Sequence, residues 1–261
     1  MRGFLVLLAV ALVASACGFK RYVWFISIGY GAAVAAIGVA LLAMFGARSG
    51  VAEVLLLVAY GCRLAGYLAY RELRSRSYNQ KMKGEVKGND SVTLGARLAI
   101  WGAAALLYAC QTSPVLFRMA AHARTDVLLV VGLAVSAFGL AFETTADVQK
   151  NAAKRRNPRR FVDTGLFRIV RCPNYLGEML FWTGVFVSGV GVYAGIAQWA
   201  AALVGYLGIV YVMFGGARRL EIRQNRSYGK DPAYQRYVRT TTIMLPFVPL
   251  YSVEKHKWLV A

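Results

Sequence analysis

The sequence predicts an all-α protein, a polytopic membrane bundle of seven transmembrane helices. Three observations predict it. The composition is 58% hydrophobic and only 16% charged, where an ordinary soluble domain carries about a quarter charged residues. Seven apolar runs follow one another, each near the ~20 residues that cross about 30 Å of hydrocarbon as a helix. The basic residues concentrate in alternate connections between those runs, the asymmetry expected of cytoplasmic loops.

The first run, 3–19, follows Arg2 and contains Ser15-Ala16-Cys17. That pattern loosely imitates a cleaved signal or lipoprotein site, but the alternation of loop charge needs the segment as a helix. The others are 22–46, 51–70, 93–117, 126–146, 173–192 and 194–214. All are too long for barrel strands, and backbone amides in lipid must be satisfied within the segment, so each is read as a helix. Lys20 and Arg21, the basic residues from Arg71 to Lys87, those from Lys150 to Arg171, and those from Arg218 onward fall on one side. Arg2, Arg48, Arg118 and Arg124 fall on the other, and Arg63 and Arg97 lie inside runs. A miscounted central helix would scramble this separation. The expected topology has the N-terminus outside and the C-terminus in the cytoplasm. The whole chain reads as one membrane domain, with helices one to four over 1–125 and helices five to seven plus a basic tail over 126–261.

A net charge of +19 would suit nucleic acid in a soluble chain. Here the charge sits in short loops, where it orients helices and meets anionic headgroups; no nucleic-acid partner is expected. Cys17, Cys62, Cys110 and Cys172 are scattered with no CxxC pair, and the only histidines are His122 and His256. Neither a disulfide framework nor a metal site is expected.

The connection between the fifth and sixth runs is the most informative stretch. It reads Glu143-Thr-Thr-Ala-Asp147-Val-Gln149-Lys150, then Lys154, Arg155, Arg156, Arg159 and Arg160. Asp163-Thr-Gly165-Leu-Phe167-Arg168-Ile-Val-Arg171-Cys172-Pro173-Asn174-Tyr175-Leu-Gly177-Glu178 follows. Pro173 fits the first turn of a helix. A helix start offers free amides and a partial positive charge, here beside Arg168 and Arg171, which suits a phosphate or pyrophosphate. Contact with lipid headgroups accounts for the same charges equally well. Glu143 and Asp147 lie one turn apart at the end of the fifth helix, and Glu178 lies inside the sixth; carboxylates at that depth are costly and usually functional. They suit nucleotide hydroxyls and amides, and pairing of Glu143 or Glu178 with a neighbouring Arg is the structural alternative.

These residues resemble the C-terminal domain of the steroid 5-alpha reductase family, and especially the bacterial membrane proteins grouped with it. The family pattern is a Glu, then Ala-Asp-x-Gln-Lys, a basic spacer, Gly-Leu-Trp or Gly-Leu-Phe, then Arg-His-Pro-Asn-Tyr-x-Gly-Glu. This chain departs from it with Phe167 where Trp is common and Cys172 where His is usual. The likeness continues through Arg218, Arg219, Glu221, Tyr228, Tyr234, Tyr237, Arg239 and Pro246, covering about the last 120 residues. The resemblance implies a cradle for NADPH between helices five to seven. Its residues would be Glu143, Asp147, Arg160, Arg168, Arg171, Asn174, Tyr175 and Glu178, with Arg218 and Arg223 from the tail. It also implies a bacterial inner membrane, with the basic loops facing the cytoplasm.

The third helix carries a weaker likeness, because Tyr60, Arg63, Tyr67 and Arg71 are similar to the Tyr-x-x-Arg helix that lines the reductases' substrate pocket. Arg63 also stands out by itself, since a guanidinium inside an apolar run is costly unless it faces a polar cavity. Tyr60 and Arg63 are three apart and share a helix face; interfacial packing is the plainer reading of Tyr60. The reductases pair that tyrosine with a Gln-Glu-Leu-Pro glutamate in an earlier segment. Nothing similar occurs over 22–46, and Glu53 lies near the outer membrane surface.

The resemblance implies an NADPH-dependent reductase of an activated C=C bond in a steroid-like or other lipid enone. Tyr60 would hydrogen-bond the carbonyl oxygen, where charge develops, and Arg63 would support the tyrosine or bind the oxygen directly. Two rivals share the fold. One is an S-adenosylmethionine-dependent membrane methyltransferase similar to isoprenylcysteine carboxyl methyltransferase. The other is a non-catalytic lipid-binding protein. Glu143, Asp147, Gln149, Asn174 and Glu178 favour the reductase.

Overall fold

The computed structural model describes residues 2–46, 50–74 and 92–259. Arg48, Arg76, Lys81, Lys83 and Lys87, counted among the loop charges, lie outside them. Seven helices are long and apolar enough to cross a membrane. They are α1 (Arg2–Ser15), α2 (Ile28–Phe45), α3 (Val51–Arg74), α4 (Leu94–Ala120), α5 (Val127–Arg156), α6 (Pro173–Gly189) and α7 (Ile196–Tyr228); a short α8 spans Pro232–Thr240. Among the described residues there is no strand, and Val170 and Thr242 form one isolated parallel bridge.

Helix boundaries differ from the apolar runs in two instructive ways. The second helix begins at Ile28, because Ala16–Phe19 and Tyr22–Ile26 form 3-10 turns and Ser27 is non-helical, with φ −124 and ψ −95. A Cβ on Gly18 would lie 2.1 Å from the Phe25 ring, so only a glycine lets that ring close over the turn. The Tyr108 hydroxyl then donates to the Phe25 carbonyl at 2.8 Å. Conversely, α5 and α7 continue to Arg156 and Tyr228, past the ends of their apolar runs. Hydropathy marks where lipid ends, whereas Gln, Lys and Arg are good helix formers that carry the helix into water.

Within α4, Pro114 supplies no N–H to the carbonyl four residues back. The Ser113 hydroxyl donates to that carbonyl, Cys110, at 2.8 Å, repairing the gap that lipid would leave unmet. The helix starts on Thr93, whose side chain accepts from the Ala96 amide at 3.3 Å.

The chain divides into two compact units. Unit 1 comprises 1–133 and 185–206, and unit 2 comprises 134–184 and 207–261. In unit 1, α2 and α3 cross with backbones in contact: a Cβ on Gly31 would sit 2.6 Å from the Ala65 nitrogen, and one on Gly61 2.5 Å from the Ala35 nitrogen. Such small-residue crossings let transmembrane helices approach closely. Unit 1 also buries Arg118 completely. Its guanidinium donates to the Ser188 and Arg124 carbonyls at 2.8 and 2.7 Å and to Asp126 at 2.7 Å. In unit 2 the same device joins α5 to α6, since a Cβ on Gly139 would lie 2.4 Å from the Phe181 nitrogen. The Ser136 hydroxyl donates to the Phe181 carbonyl at 2.9 Å beside that crossing.

Candidate functional site

Unit 2 gathers most of the charged residues singled out in the sequence. Gly177 lies against Glu143, with a Cβ there only 2.6 Å from the Glu143 nitrogen. That contact brings Glu143 and Glu178, both buried, to one helix crossing. Asp147 is buried one turn along α5. Two residues further, the Gln149 side chain accepts from the Leu166 amide at 2.8 Å. Gly165 makes this clamp possible: its φ is +61, and a Cβ on it would lie 2.3 Å from the Gln149 oxygen.

The loop before α6 is then fastened to the tail. The Arg171 and Cys172 amides donate to the Thr242 and Ile243 carbonyls, both at 2.9 Å, and the Tyr237 hydroxyl donates to the Phe167 carbonyl at 2.7 Å. Tyr237 also stacks on Phe161, with ring centroids 5.4 Å apart. Tyr234 donates to Asn225 at 2.7 Å. Burial pushes the Tyr234 phenol up to about 12 and raises that of Tyr237 as well, so both remain donors at physiological pH.

Arg171 is the centre of this arrangement. Its side chain is buried, and Nη2 donates to Glu221 at 2.8 Å and to the Tyr251 carbonyl. Glu221 in turn accepts from the Val253 amide at 2.8 Å. Among the described residues, Nε and Nη1 of Arg171 have no hydrogen-bond partner, nor do Asn174 Oδ1 and Thr242 Oγ1. Polar atoms buried in this way are costly unless something satisfies them. Lys150 lies within electrostatic range of Cys172, and Arg219 and Arg223 within range of the Tyr175 hydroxyl. The start of α6 is therefore a partly buried cationic cluster with orphaned donors and acceptors.

The remaining predicted residues have other places. Arg160 pairs with Asp163 at 2.7 Å, and its guanidinium lies 5.0 Å over the Phe161 ring. Arg168 is exposed on the 3-10 turn Gly165–Arg168. Arg218 donates to the Glu254 and Leu259 carbonyls at 3.0 and 3.5 Å, tying the tail down. Glu221 is the partner that sequence reasoning did not assign, although it was noted in the tail; the two residues are 50 apart in sequence, and spacing alone does not pair them.

Unit 1 holds the other predicted pair. Tyr60 is fully buried and its hydroxyl donates to the Tyr30 hydroxyl at 3.1 Å. Arg63 is half-buried and lies 5.7 Å over the Tyr67 ring, with Arg71 at the same distance from that ring. Glu53 is buried at the start of α3, about 10 Å along the helix axis from Tyr60 at 1.5 Å per residue. Tyr30 went unnoticed in the sequence; its signal is a Tyr-Gly pair in α2 repeated as Tyr60-Gly61 in α3.

A family model described as "Protein of unknown function (DUF1295)" matches residues 14–241. No curated protein and no solved structure matches the chain.

Proposed function

We propose that this chain, which belongs to the DUF1295 family, is a membrane-embedded NADPH-dependent reductase of an activated C=C bond in a lipid enone. The observation that carries this reading is that Arg171 Nε and Nη1 and Asn174 Oδ1, three residues apart at the start of α6, are buried without a hydrogen-bond partner among the described residues. Unpartnered donors on a buried guanidinium suit anionic oxygens such as those of a phosphate, and the first turn of α6 adds its own amides. Arg171, Asn174, Tyr175 and Arg223 would hold the dinucleotide's phosphates, with Arg219 and Lys150 as further cationic neighbours. Asp147, Glu143 and Glu178 would take its hydroxyl and amide groups. The likeness of this segment to the steroid 5-alpha reductase pattern supports the same assignment.

NADPH supplies the hydride. The chain's own contribution is orientation, exclusion of water and stabilisation of charge on the substrate's carbonyl oxygen. In unit 1 the Tyr60 and Tyr30 hydroxyls meet at 3.1 Å inside an apolar helix cluster. Lipid enones, sterol-like or isoprenoid, suit such walls. The loop charges favour an orientation with the basic segments on the cytoplasmic side, where NADPH is found, and the likeness to bacterial membrane proteins supports an inner membrane.

One observation favours a second reading: a carboxylate oxygen would satisfy the unpartnered Nε or Nη1 of Arg171 as well as a phosphate oxygen would. S-adenosylmethionine carries one, which keeps the methyltransferase class in play. Thermal unfolding of the detergent-purified protein with each ligand separates the two. NADPH at a hundred times its Kd should stabilise by about 2.7 kcal/mol, and both Arg171→Ala and Asn174→Ala should remove that gain. Stabilisation by S-adenosylmethionine alone would make the chain a methyltransferase, and a response to neither would leave a non-catalytic lipid-binding protein.

A further inference from the structure

We propose that residues 254–258 form a contact surface for anionic phospholipid in the leaflet at the C-terminal end of α7, with Trp258 at the acyl boundary and Lys255 and Lys257 on the headgroup phosphates. This goes beyond the reductase reading and does not depend on it. The segment belongs wholly to unit 2. Val253 and Leu259 are buried, and the residues between them are exposed. Short backbone bonds turn the stretch back on itself: the His256 amide donates to the Val253 carbonyl at 3.1 Å, that of Lys257 to Lys255 at 3.0 Å, and that of Leu259 to His256 at 3.0 Å. Arg218 holds both ends through the Glu254 and Leu259 carbonyls.

The depth of this segment is set by α7. The Tyr211 hydroxyl donates to the Trp258 carbonyl at 2.8 Å, and the two rings stack with centroids 6.1 Å apart. Tyr211 stands inside the end of the apolar run at Phe214, by about 4.5 Å along the helix axis. Helical side chains lean toward the helix N-terminus, here the lipid side. Arg218, about 10 Å along the axis in the other direction, marks the level where charge returns. The tail therefore comes back along α7 from the charged level to the edge of the hydrocarbon. Trp258 is 66% exposed there, the place of an interfacial aromatic, whose body meets acyl chains and whose N–H meets headgroups. Lys255 and Lys257 are exposed beside it, and the carboxylate next to them, Glu254, already accepts from Asn225 at 2.6 Å. Lysine stems lie along apolar surface and carry their ammonium groups to the phosphates. A zwitterionic headgroup brings its own cation to its phosphate, so two neighbouring ammonium groups favour a lipid of net negative charge. The same stretch of tail supplies the Tyr251 carbonyl to Arg171 and the Val253 amide to Glu221, so the lipid contact adjoins the fastening of the candidate site.

The test uses full-length protein in phosphatidylcholine nanodiscs carrying a small, equal fraction of either brominated phosphatidylglycerol or brominated phosphatidylcholine, with the bromines near the carbonyl end of the acyl chain. The chain has five tryptophans, so the Trp258 signal is the difference between wild type and Trp258→Phe. That signal should be quenched by both lipids, more strongly by phosphatidylglycerol, and should be shielded from acrylamide in the water. Replacing both lysines, Lys255→Ala with Lys257→Ala, should remove the preference, which corresponds to about fivefold local enrichment per lysine. Quenching by brominated phosphatidylcholine and the melting temperature should stay at wild-type values, as evidence of an intact fold. Quenching of Trp258 by acrylamide and by neither lipid puts the segment in water and overturns the inference. Equal quenching by the two lipids overturns it as well, as does a preference for phosphatidylglycerol that survives the double substitution.

Discussion

Cys172 occupies the position before Pro173 where the resembling family carries histidine, and its surroundings decide what a thiol can do there. Burial pushes it up to about 12, outweighing the lowering effect of nearby Arg171 and Lys150. Nucleophilic chemistry needs the thiolate, so Cys172 is a packing residue. A water-soluble maleimide at neutral pH should leave it unmodified until the protein is denatured, as mass spectrometry of the peptide containing it would show. At the opposite extreme, the carboxyl of Asp126 is held below the ordinary aspartate range, first by its hydrogen bond from Arg118 and then by the Leu129 amide. A lowered folded value means that the pair's contribution is present above the unfolded pKa and disappears as pH falls through the folded one. Asp126→Asn should therefore lower the melting temperature at neutral pH. The gap from wild type should close as pH drops below about 4. A gap independent of pH would mean that the charge is irrelevant.

The elements depend on glycines at helix crossings more than on helix propensity. Gly31 with Gly61 joins α2 to α3, and Gly139 with Gly177 joins α5 to α6. A side chain at any of them meets neighbouring backbone, which cannot swing aside. Gly61→Leu should destabilise the protein by about 1–3 kcal/mol and separate the Tyr30 and Tyr60 hydroxyls. A melting temperature unchanged in Gly61→Leu would mean that the crossing tolerates a side chain. Gly66, on the same helix, would meet nothing within 4 Å on gaining a Cβ, and Gly66→Ala is the matched control, expected to leave the melting temperature at its wild-type value. The loop before α6 obeys the same logic on a smaller scale: Gly165 must keep φ at +61 with the Gln149 side chain against it.

At the scale of the whole molecule, charge and hydropathy make a prediction of their own. A fluorescent-protein fusion at the C-terminus should light up in the cytoplasm, and alkaline phosphatase fused after Arg124 should be active only outside it; the opposite pattern would invert the assignment of the basic loops. Membrane class, seven spans among the described residues and the one-turn spacing of Glu143 and Asp147 on α5 were legible in the sequence. Hydropathy, proline position and one-turn spacing are local properties, carried by residues close together in the chain. Helix ends were less legible, because apolar content reports lipid contact whereas α5 and α7 run on through charged residues that favour helix just as well. Only the tertiary structure joined Arg171 to Glu221, set Tyr60 against Tyr30, and gave Arg160 and Arg218 partners in Asp163 and the tail carbonyls. Those partners are chosen by where helices cross and where the tail returns, and a crossing depends on the absence of a side chain at glycines far apart in sequence.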